Sequence, residues 1–364
     1  MLTRVLNTFG RNATILGAVA FAATLATFIL RQVGGDHVLV FVISAIALAG
    51  LAGLVGEGTD QLGHRFGPGA TGVLQSALGN LPELFISIFS LQAGLVVVVQ
   101  TALIGSILAN SLLVLGLAFF FGGLRHGTQR FDAPAVRSMA VLLLLAVAAL
   151  AVPTLATMPG APAAGHNQEI SVFVSVILLV VFAASIPFSI RGGPGASAIG
   201  EAVESLDVWP MSRALGVLVV AGVGAALVSD WFVEALRPAM ATLGMSEAFV
   251  GLVIVAIAGN AVENVVGIQM ALRNKPDLAI SLILNSSVQV AIALTPALVI
   301  ISLFVGGGLT LVLSPLLLAS VALAALLAAF IVFDGETTWL EGLALLGFYL
   351  VIAASVWYGQ PMHV

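Results

Sequence analysis

The sequence contains no cysteine, which removes disulfides, thiol nucleophiles and every thiolate-ligated zinc or iron–sulfur site. It is almost as poor in charge. Only 8% of its 364 residues are Asp, Glu, Lys or Arg, against about 25% in an ordinary soluble domain, too few to cover a water-facing surface. Lys and Arg number 12 and Asp and Glu 17, a net charge of −5, so there is no basic surplus for nucleic-acid phosphates. A soluble enzyme, a nucleic-acid-binding protein and a disordered chain are all excluded. What the sequence has instead is apolar mass: 60% of it is hydrophobic, and the mean hydropathy is +1.17. The lipid bilayer is the one solvent that suits it.

Apolar runs of the length that crosses a bilayer, about 20 residues, recur from end to end. They predict helices over 13–31, 38–56, 70–93, 96–121, 135–155, 169–190, 211–236, 247–272, 277–303, 309–332 and 338–358, eleven in all. β-Barrel spans would be short alternating segments, so the expected fold is all-α, in which each span satisfies its own backbone. Glycine and proline clusters fall between the runs, at Gly34-Gly35, Gly67-Pro68-Gly69, Gly122-Gly123, Pro159 to Gly165, Gly192 to Gly195 and Gly306-Gly307-Gly308. Trp209, Trp231, Trp339 and Trp357 stand near predicted helix ends, the depth indole rings favour. The first run follows Arg4 and Arg11 but is long for a signal sequence and is succeeded by Arg31, so it reads as a retained helix.

The basic residues sort by side. With the N-terminus cytoplasmic, that side receives Arg4, Arg11, Arg65, Arg125, Arg130, Arg137, Arg191, Arg213, Arg273 and Lys275, and the other receives Arg31 and Arg237. This is the positive-inside pattern, and it places the C-terminus outside. Compact loops without a long tail suggest a bacterial plasma membrane, with a vacuolar or other organelle membrane as the alternative.

Two segments echo each other. Gly79-Asn80-Leu81-Pro82-Glu83 returns as Gly259-Asn260-Ala261-Val262-Glu263, 180 positions later, and the same offset carries Gly105-Ser106 onto Asn285-Ser286. Leu54-Val55-Gly56-Glu57 resembles Leu227-Val228-Ser229-Asp230 at an offset of 173. The expected organisation is an extra helix within 1–36, a five-helix unit over 37–190, an acidic linker over 191–210 carrying Glu201, Glu204 and Asp207, and a second five-helix unit over 211–364. A unit with an odd number of spans inserts its second copy upside down, the inverted-repeat plan of secondary transporters, whose sites lie near the midplane.

Glu83 and Glu263 each fall inside an apolar run, where a charge costs about 2.5–3.5 kcal/mol on the more lenient insertion scale. Gly79 and Gly259 weaken each helix just before the acid. Pro82 cannot donate to the helical ladder and would free the carbonyl of Leu78. A carbonyl, an Asn80 or Asn260 amide oxygen and a carboxylate make a hard, all-oxygen half-site, and two half-sites supply about six oxygens, the minimum that Ca2+ prefers. No His, Cys or Met cluster accompanies them, against zinc, copper or iron. Two carboxylates neutralise one dication; without it, two facing anions in low dielectric capture protons. A site neutral with Ca2+ or with protons, and charged when empty, exchanges one for the other.

Ser106, Asn110, Ser286, Ser287 and Gln289 lie on the helices after each motif, either as packing contacts or as ligands and their supports. Glu57, Asp60, Asp230 and Glu234 sit near helix ends, either solvated or lining a vestibule or proton relay. His64, His126 and the other histidines suggest no site. No selectivity-filter loop marks a passive channel, and neither Ser106 nor Ser286 has a His or Lys base for hydrolysis.

On these residues the chain resembles the cation/proton exchanger branch of the calcium/cation antiporter superfamily. The stretches that carry the resemblance are Leu78 to Leu84, Gln100 to Asn110, Phe119 to Gly123 and Gly259 to Glu263. The resemblance implies an eleven-helix Ca2+/H+ antiporter, without a cofactor, in which the two repeat glutamates hold Ca2+ and protons in turn and shifts of the outer hydrophobic helices open the site to each side. Two positions depart from the family pattern: Asn264 stands where His is usual after the second glutamate, and Asn285 where Gly is usual. The first removes a titratable neighbour and the second adds an amide, so exchange against Na+ and transport of another hard cation stand as alternatives to Ca2+/H+.

Overall fold

The structure is a computed structural model. It describes residues 11–66, 78–190 and 209–358, with the side chains at 11, 12, 63–66, 133–135, 188–190, 262 and 263 excepted. Arg4, the stretch Gly67 to Ser76 with the expected start of the third helix, the acidic linker from Arg191 to Asp207 and the side chains of His64, Arg65 and Glu263 therefore lie outside the described residues.

The helices are α1 (Arg11–Gln32), α2 (His37–Phe66), α3 (Leu81–Gln92), α4 (Val96–His126), α5 (Ala133–Thr157), α6 (Asn167–Ile190), α7 (Met211–Leu243), α8 (Glu247–Gly259), α9 (Ala261–Leu272), α10 (Pro276–Val305), α11 (Pro315–Ile331) and α12 (Trp339–Tyr358). Their ends follow local chemistry. Asp36 Oδ1 accepts from the amides of Val38 (2.9 Å) and Leu39 (3.1 Å) at the start of α2. Ser246 caps α8 through the amide of Phe249 (3.1 Å), and Ser314 caps α11 before Pro315. Gly244 ends α7 with a φ of 65°.

Eight of these helices (α1, α2, α4, α5, α6, α7, α10 and α12) are continuous, apolar and long enough to cross a bilayer. α8 and the body of α9 meet at 62° across a break, while α3 and α11 are shorter apolar helices. Large side chains such as Phe304 (83% exposed) and Phe330 (74% exposed) point outward, as lipid-facing groups do. The chain is thus a polytopic, mostly helical membrane protein. Acidic residues expected at helix ends lie within helices instead, because α2 runs on past Glu57 and Asp60 to Phe66, and α7 past Glu234 to Leu243.

Two expectations are corrected. The third and eighth runs are not continuous helices: each breaks at its Gly-Asn pair. Pro82 therefore stands in the first turn of α3, where its missing N–H has no intrahelical partner to lose, rather than in the interior of a longer helix. The tenth run begins late. Residues 309–314 are not helical, and α11 starts at Pro315.

The buried side chains form two hydrophobic cores. One joins α1, α2 and α7 and reaches Ile86 of α3, Val98 and Ala102 of α4, and Val250 and Val255 of α8. The other is built from α4, α5, α8, α10, α11 and α12. Between them α4 crosses α8 backbone to backbone: a Cβ on Gly105 would lie 2.6 Å from Cα of Leu252. Three π-helical turns flank this region, Ala109–Val114 in α4, Val250–Val255 in α8 and Val290–Leu294 in α10. The first and third are 180 positions apart at their C-terminal ends, so the echo in sequence is also one in backbone geometry.

The face that carries Arg125, Arg130, Arg273 and Lys275 is stitched across the chain. Strands β1 (Gln129–Arg130) and β2 (Glu336–Thr337) pair antiparallel. Gln129 Nε2 donates to the carbonyl of Ala271 (3.0 Å) and to Asn274 Oδ1 (2.9 Å), and Arg137 donates to the carbonyl of Phe333 (2.7 Å). On the opposite face Arg237 donates to the carbonyl of Ala93 (2.8 Å), and Arg31 pairs with Glu234.

Candidate functional site

The two motifs meet where the cores adjoin. Asn80 precedes α3 at φ −89°, ψ 13°, and Asn260 precedes α9 at φ −105°, ψ 21°, so each half-helix starts from an asparagine in closely similar backbone geometry. Glu83 and Glu263 are consequently the third residues of their half-helices. The first turn of a helix presents unpaired N–H groups and the positive end of the macrodipole, which favours a carboxylate there. Gly259, the last residue of α8, directs a C-terminal end at the same place, and such an end favours a cation.

Glu83 is fully buried, and the Oγ of Ser106 donates to its Oε1. Asn260 Nδ2 donates to the same Ser106 Oγ (3.0 Å) and to the carbonyl of Ala256 (2.9 Å). The chain Asn260 to Ser106 to Glu83 thus runs from the second motif to the acid of the first. Gly259 closes the contact: a Cβ there would lie 3.4 Å from Glu83 Cβ and 3.7 Å from its carboxyl carbon. Nothing larger than hydrogen separates the second motif's backbone from the first motif's side chain. With both Nδ2 bonds directed, Asn260 Oδ1 is buried without a hydrogen-bond partner, an acceptor available to a hard cation.

Other predicted residues extend this network. Asn110 Nδ2 donates to Ser286 Oγ (3.0 Å), leaving Asn110 Oδ1 buried and unpartnered. Ser287 Oγ lies 3.2 Å from Ser111 Oγ. Ser111 is a site neighbour that sequence reading missed; its place beside Asn110, opposite the Ser286-Ser287 pair, was the available signal. Gln289 is buried at the end of the same helical turn, Asn80 is buried at the first break, and Leu78 and Gly79 are half-buried beside it. Gln61 donates weakly to the half-buried Glu57 (3.4 Å) and accepts from the amide of Trp209 (2.8 Å), with Asp60 half-buried beside it. Asp230 is exposed, and Glu234 is held by Arg31, whose guanidinium stands 5.1 Å above the Trp231 ring. The structure brings Glu83, Ser106, Gly259 and Asn260 together; Glu234 is apart, at the opposite face. Among the described residues no three His, Cys, Asp or Glu side chains cluster.

Comparison with known proteins agrees with this architecture. The family model described as sodium/calcium exchanger protein matches residues 37–191 and again 213–358. A Ca2+/H+ antiporter of Aphanothece halophytica is 33% identical over 89% of this chain and 91% of its own length. The Ca2+/H+ antiporter ChaA of Bacillus subtilis is 34% identical over 86% of this chain and 91% of its own. The solved structure of native YfkE superposes with a TM-score of 0.81 at 30% identity, covering 94% of this chain and 99% of that one. An H+/Ca2+ exchanger CAX shares the fold at a TM-score of 0.73 and 18% identity, covering 96% of this chain and 92% of that one. The chain belongs to the sodium/calcium exchanger protein family.

Proposed function

We propose that this family member is a secondary active transporter, not an enzyme, that exchanges Ca2+ for protons across the membrane, with Glu83 and Glu263 taking the cation or the protons in turn. The observation that carries the reading is the contact of the second motif with the first: Gly259 lies against the Glu83 side chain while Asn260 reaches the same acid through Ser106. The names of the relatives, Ca2+/H+ antiporters at 33% and 34% identity, support Ca2+ as cargo and protons as the coupling ion. No cofactor is needed.

The arrangement follows the transporter plan. An extra helix within 1–36 precedes two inverted five-helix units, 37–190 and 211–364, joined by the linker 191–210, giving eleven spans when each broken run counts once. The double match of one family model supports the two units. The basic face, with Arg125, Arg130, Arg273 and Lys275, is cytoplasmic in a bacterial plasma membrane, which puts the N-terminus inside and the C-terminus outside.

The chemistry uses this chain's own groups. Each glutamate is the third residue of its half-helix, a position that favours an anion. A Ca2+ between them neutralises their charge and draws on Asn260 Oδ1 as a neutral oxygen. When Ca2+ leaves, protons restore neutrality, and only the neutral states reorient. The test is radiolabelled Ca2+ uptake into proteoliposomes under an imposed pH gradient. Wild type should take up Ca2+, and Glu83→Gln and Glu263→Gln should each abolish uptake. Uptake that follows a Na+ gradient and ignores pH would assign Na+ as the coupling ion, and uptake intact in both variants would remove the site.

A further inference from the structure

On the face opposite the basic one, the last turn of α1, the turn into α2 and one side of α7 enclose a cavity of about 220 Å³. Arg31, Gln32, His37, Val40, Trp231 and Glu234 line it. It is smaller than a pocket for a drug-sized molecule, which takes about 300–1,000 Å³. Its charged lining is one guanidinium and one carboxylate. They are paired with each other, yet the pair is open to the cavity: the Glu234 side chain is 65% exposed. Arg31 donates through Nη2 to Glu234 and stands 5.1 Å above the Trp231 ring. Its Nε and Nη1 have no acceptor among the described residues and are left for a second anion.

The surface that leads away from the cavity is apolar. Phe28 of α1 meets Trp231 of α7 with ring centroids 6.0 Å apart. Counted back from Arg31 in steps of three or four, Phe28, Leu25 and Phe21 share its face of α1; counted back from Trp231, Leu227, Val223 and Val220 share its face of α7. All of them are exposed. Two lipid-facing stripes therefore run toward the bilayer centre on the two helices that supply the cavity's charges. The surrounding charge is slightly acidic. Asp36 and Asp230 are exposed nearby, and Arg237, the other base on this face, is engaged at the Ala93 carbonyl. An anionic group would meet this excess, whereas a ligand carrying one charge of each sign is matched by the Arg31 and Glu234 pair.

We propose that this cavity is a lipid site that holds the head group of one zwitterionic phospholipid, with its phosphate on Arg31, its ammonium on Glu234 and an acyl chain along the exposed stripes of α1 and α7. The bound lipid bridges α1 to α7 beside the Arg31–Glu234 pair and the Phe28–Trp231 contact. It lies away from the carboxylate network and touches no transported ion, so the site stands whichever cation the protein carries.

The test is lipid retention. The full chain, solubilised in detergent and stripped of lipid, is titrated with dioleoyl phosphatidylethanolamine, phosphatidylcholine or phosphatidylglycerol, and the first lipid retained is followed by native mass spectrometry. Wild type should retain either zwitterionic lipid at concentrations about tenfold below those it needs for phosphatidylglycerol, the worth of one hydrogen bond to a charged group. Arg31→Gln removes the phosphate's donor and should weaken both zwitterionic lipids about tenfold. Glu234→Gln removes the ammonium's partner and releases Arg31, so phosphatidylglycerol should then bind at least as tightly as the other two. Arg125→Gln, an exposed arginine of the basic face, should leave the preference as it is. Soluble O-phosphoethanolamine at the same concentration should not displace the lipid; displacement would give the cavity to a free zwitterion and overturn the lipid. Equal retention of the three lipids by wild type overturns the site, as does a preference that survives both Arg31→Gln and Glu234→Gln. If a variant does not fold, the wild-type preference decides.

Discussion

Ser106→Ala is the substitution that most directly separates the carboxylate network from its surroundings. The hydroxyl has two partners: it donates to Glu83 and accepts from Asn260 Nδ2 (3.0 Å). Its loss removes a hydrogen bond to a charged group, worth about 1.5–3 kcal/mol, and leaves one Asn260 N–H without its acceptor. On the function proposed above Ca2+ takes the ionised carboxylate, which is the form the hydroxyl stabilises. Half-saturation should therefore move to Ca2+ concentrations about 10–100-fold higher, at 1.4 kcal/mol per tenfold. The assay is the initial rate of Ca2+ uptake against Ca2+ concentration at two internal pH values. Because protons and Ca2+ compete for one acid, the defect should shrink at the higher pH. Asn260→Ala removes the same Ser106 hydrogen bond as well as the Oδ1 proposed for the cation, so the double variant should fall short of the sum of the two by the shared bond. A Ser106→Ala protein with half-saturation within twofold of wild type at both pH values would refute the network as a determinant of binding.

Four further outcomes are expected. Gly105→Ala places a methyl 2.6 Å from Cα of Leu252, a clash with backbone that no rotamer change relieves, so the melting point of the solubilised protein should fall by an amount corresponding to about 1–3 kcal/mol or more. Gly216→Ala, with nothing within 4 Å of the new methyl, should leave it unchanged or raise it. Gln129→Ala strips the Ala271 carbonyl and Asn274 of their donor and should cost about 1–3 kcal/mol in the same melt. Arg31→Ala removes a partly exposed ion pair with Glu234; such pairs contribute about 0–1 kcal/mol, and Ca2+ uptake should be retained.

The spans are legible in the sequence because a bilayer demands long unbroken apolar runs, and nothing else in the chain looks like them. The ends of α2 and α7 are less so. The predicted runs end at 56 and 236, but helical hydrogen bonding does not depend on apolar side chains and continues to Phe66 and Leu243. The pairing of Glu83 with the Gly259-Asn260 backbone could be anticipated from the 180-residue echo. The break itself was harder to read, because Gly-Asn weakens a helix without dictating where it stops, and Pro82 is as compatible with a first turn as with a kink. The segment at 309–314 was misread for a clear reason: Leu309, Leu311 and Leu313 alternate as a strand does, but Val312 and the apolar run behind Pro315 hide the period. The side chains that bond its backbone, Gln100, Thr154, Ser171 and Ser302, are scattered over four helices and leave no local trace.

The two-residue ribbon of β1 and β2 constrains how such a protein can move. It staples a loop from the first half of the chain to a loop from the second, at the arginine-bearing end, and Gln129 rivets the same spot to the turn after α9. Halves fastened in this way cannot tilt freely past one another without tearing that seam. α1, α2 and α7 stand on a separate hydrophobic core and contribute nothing to it. If the transport proposed above is correct, α1, α2 and α7 are the elements that this seam leaves untied.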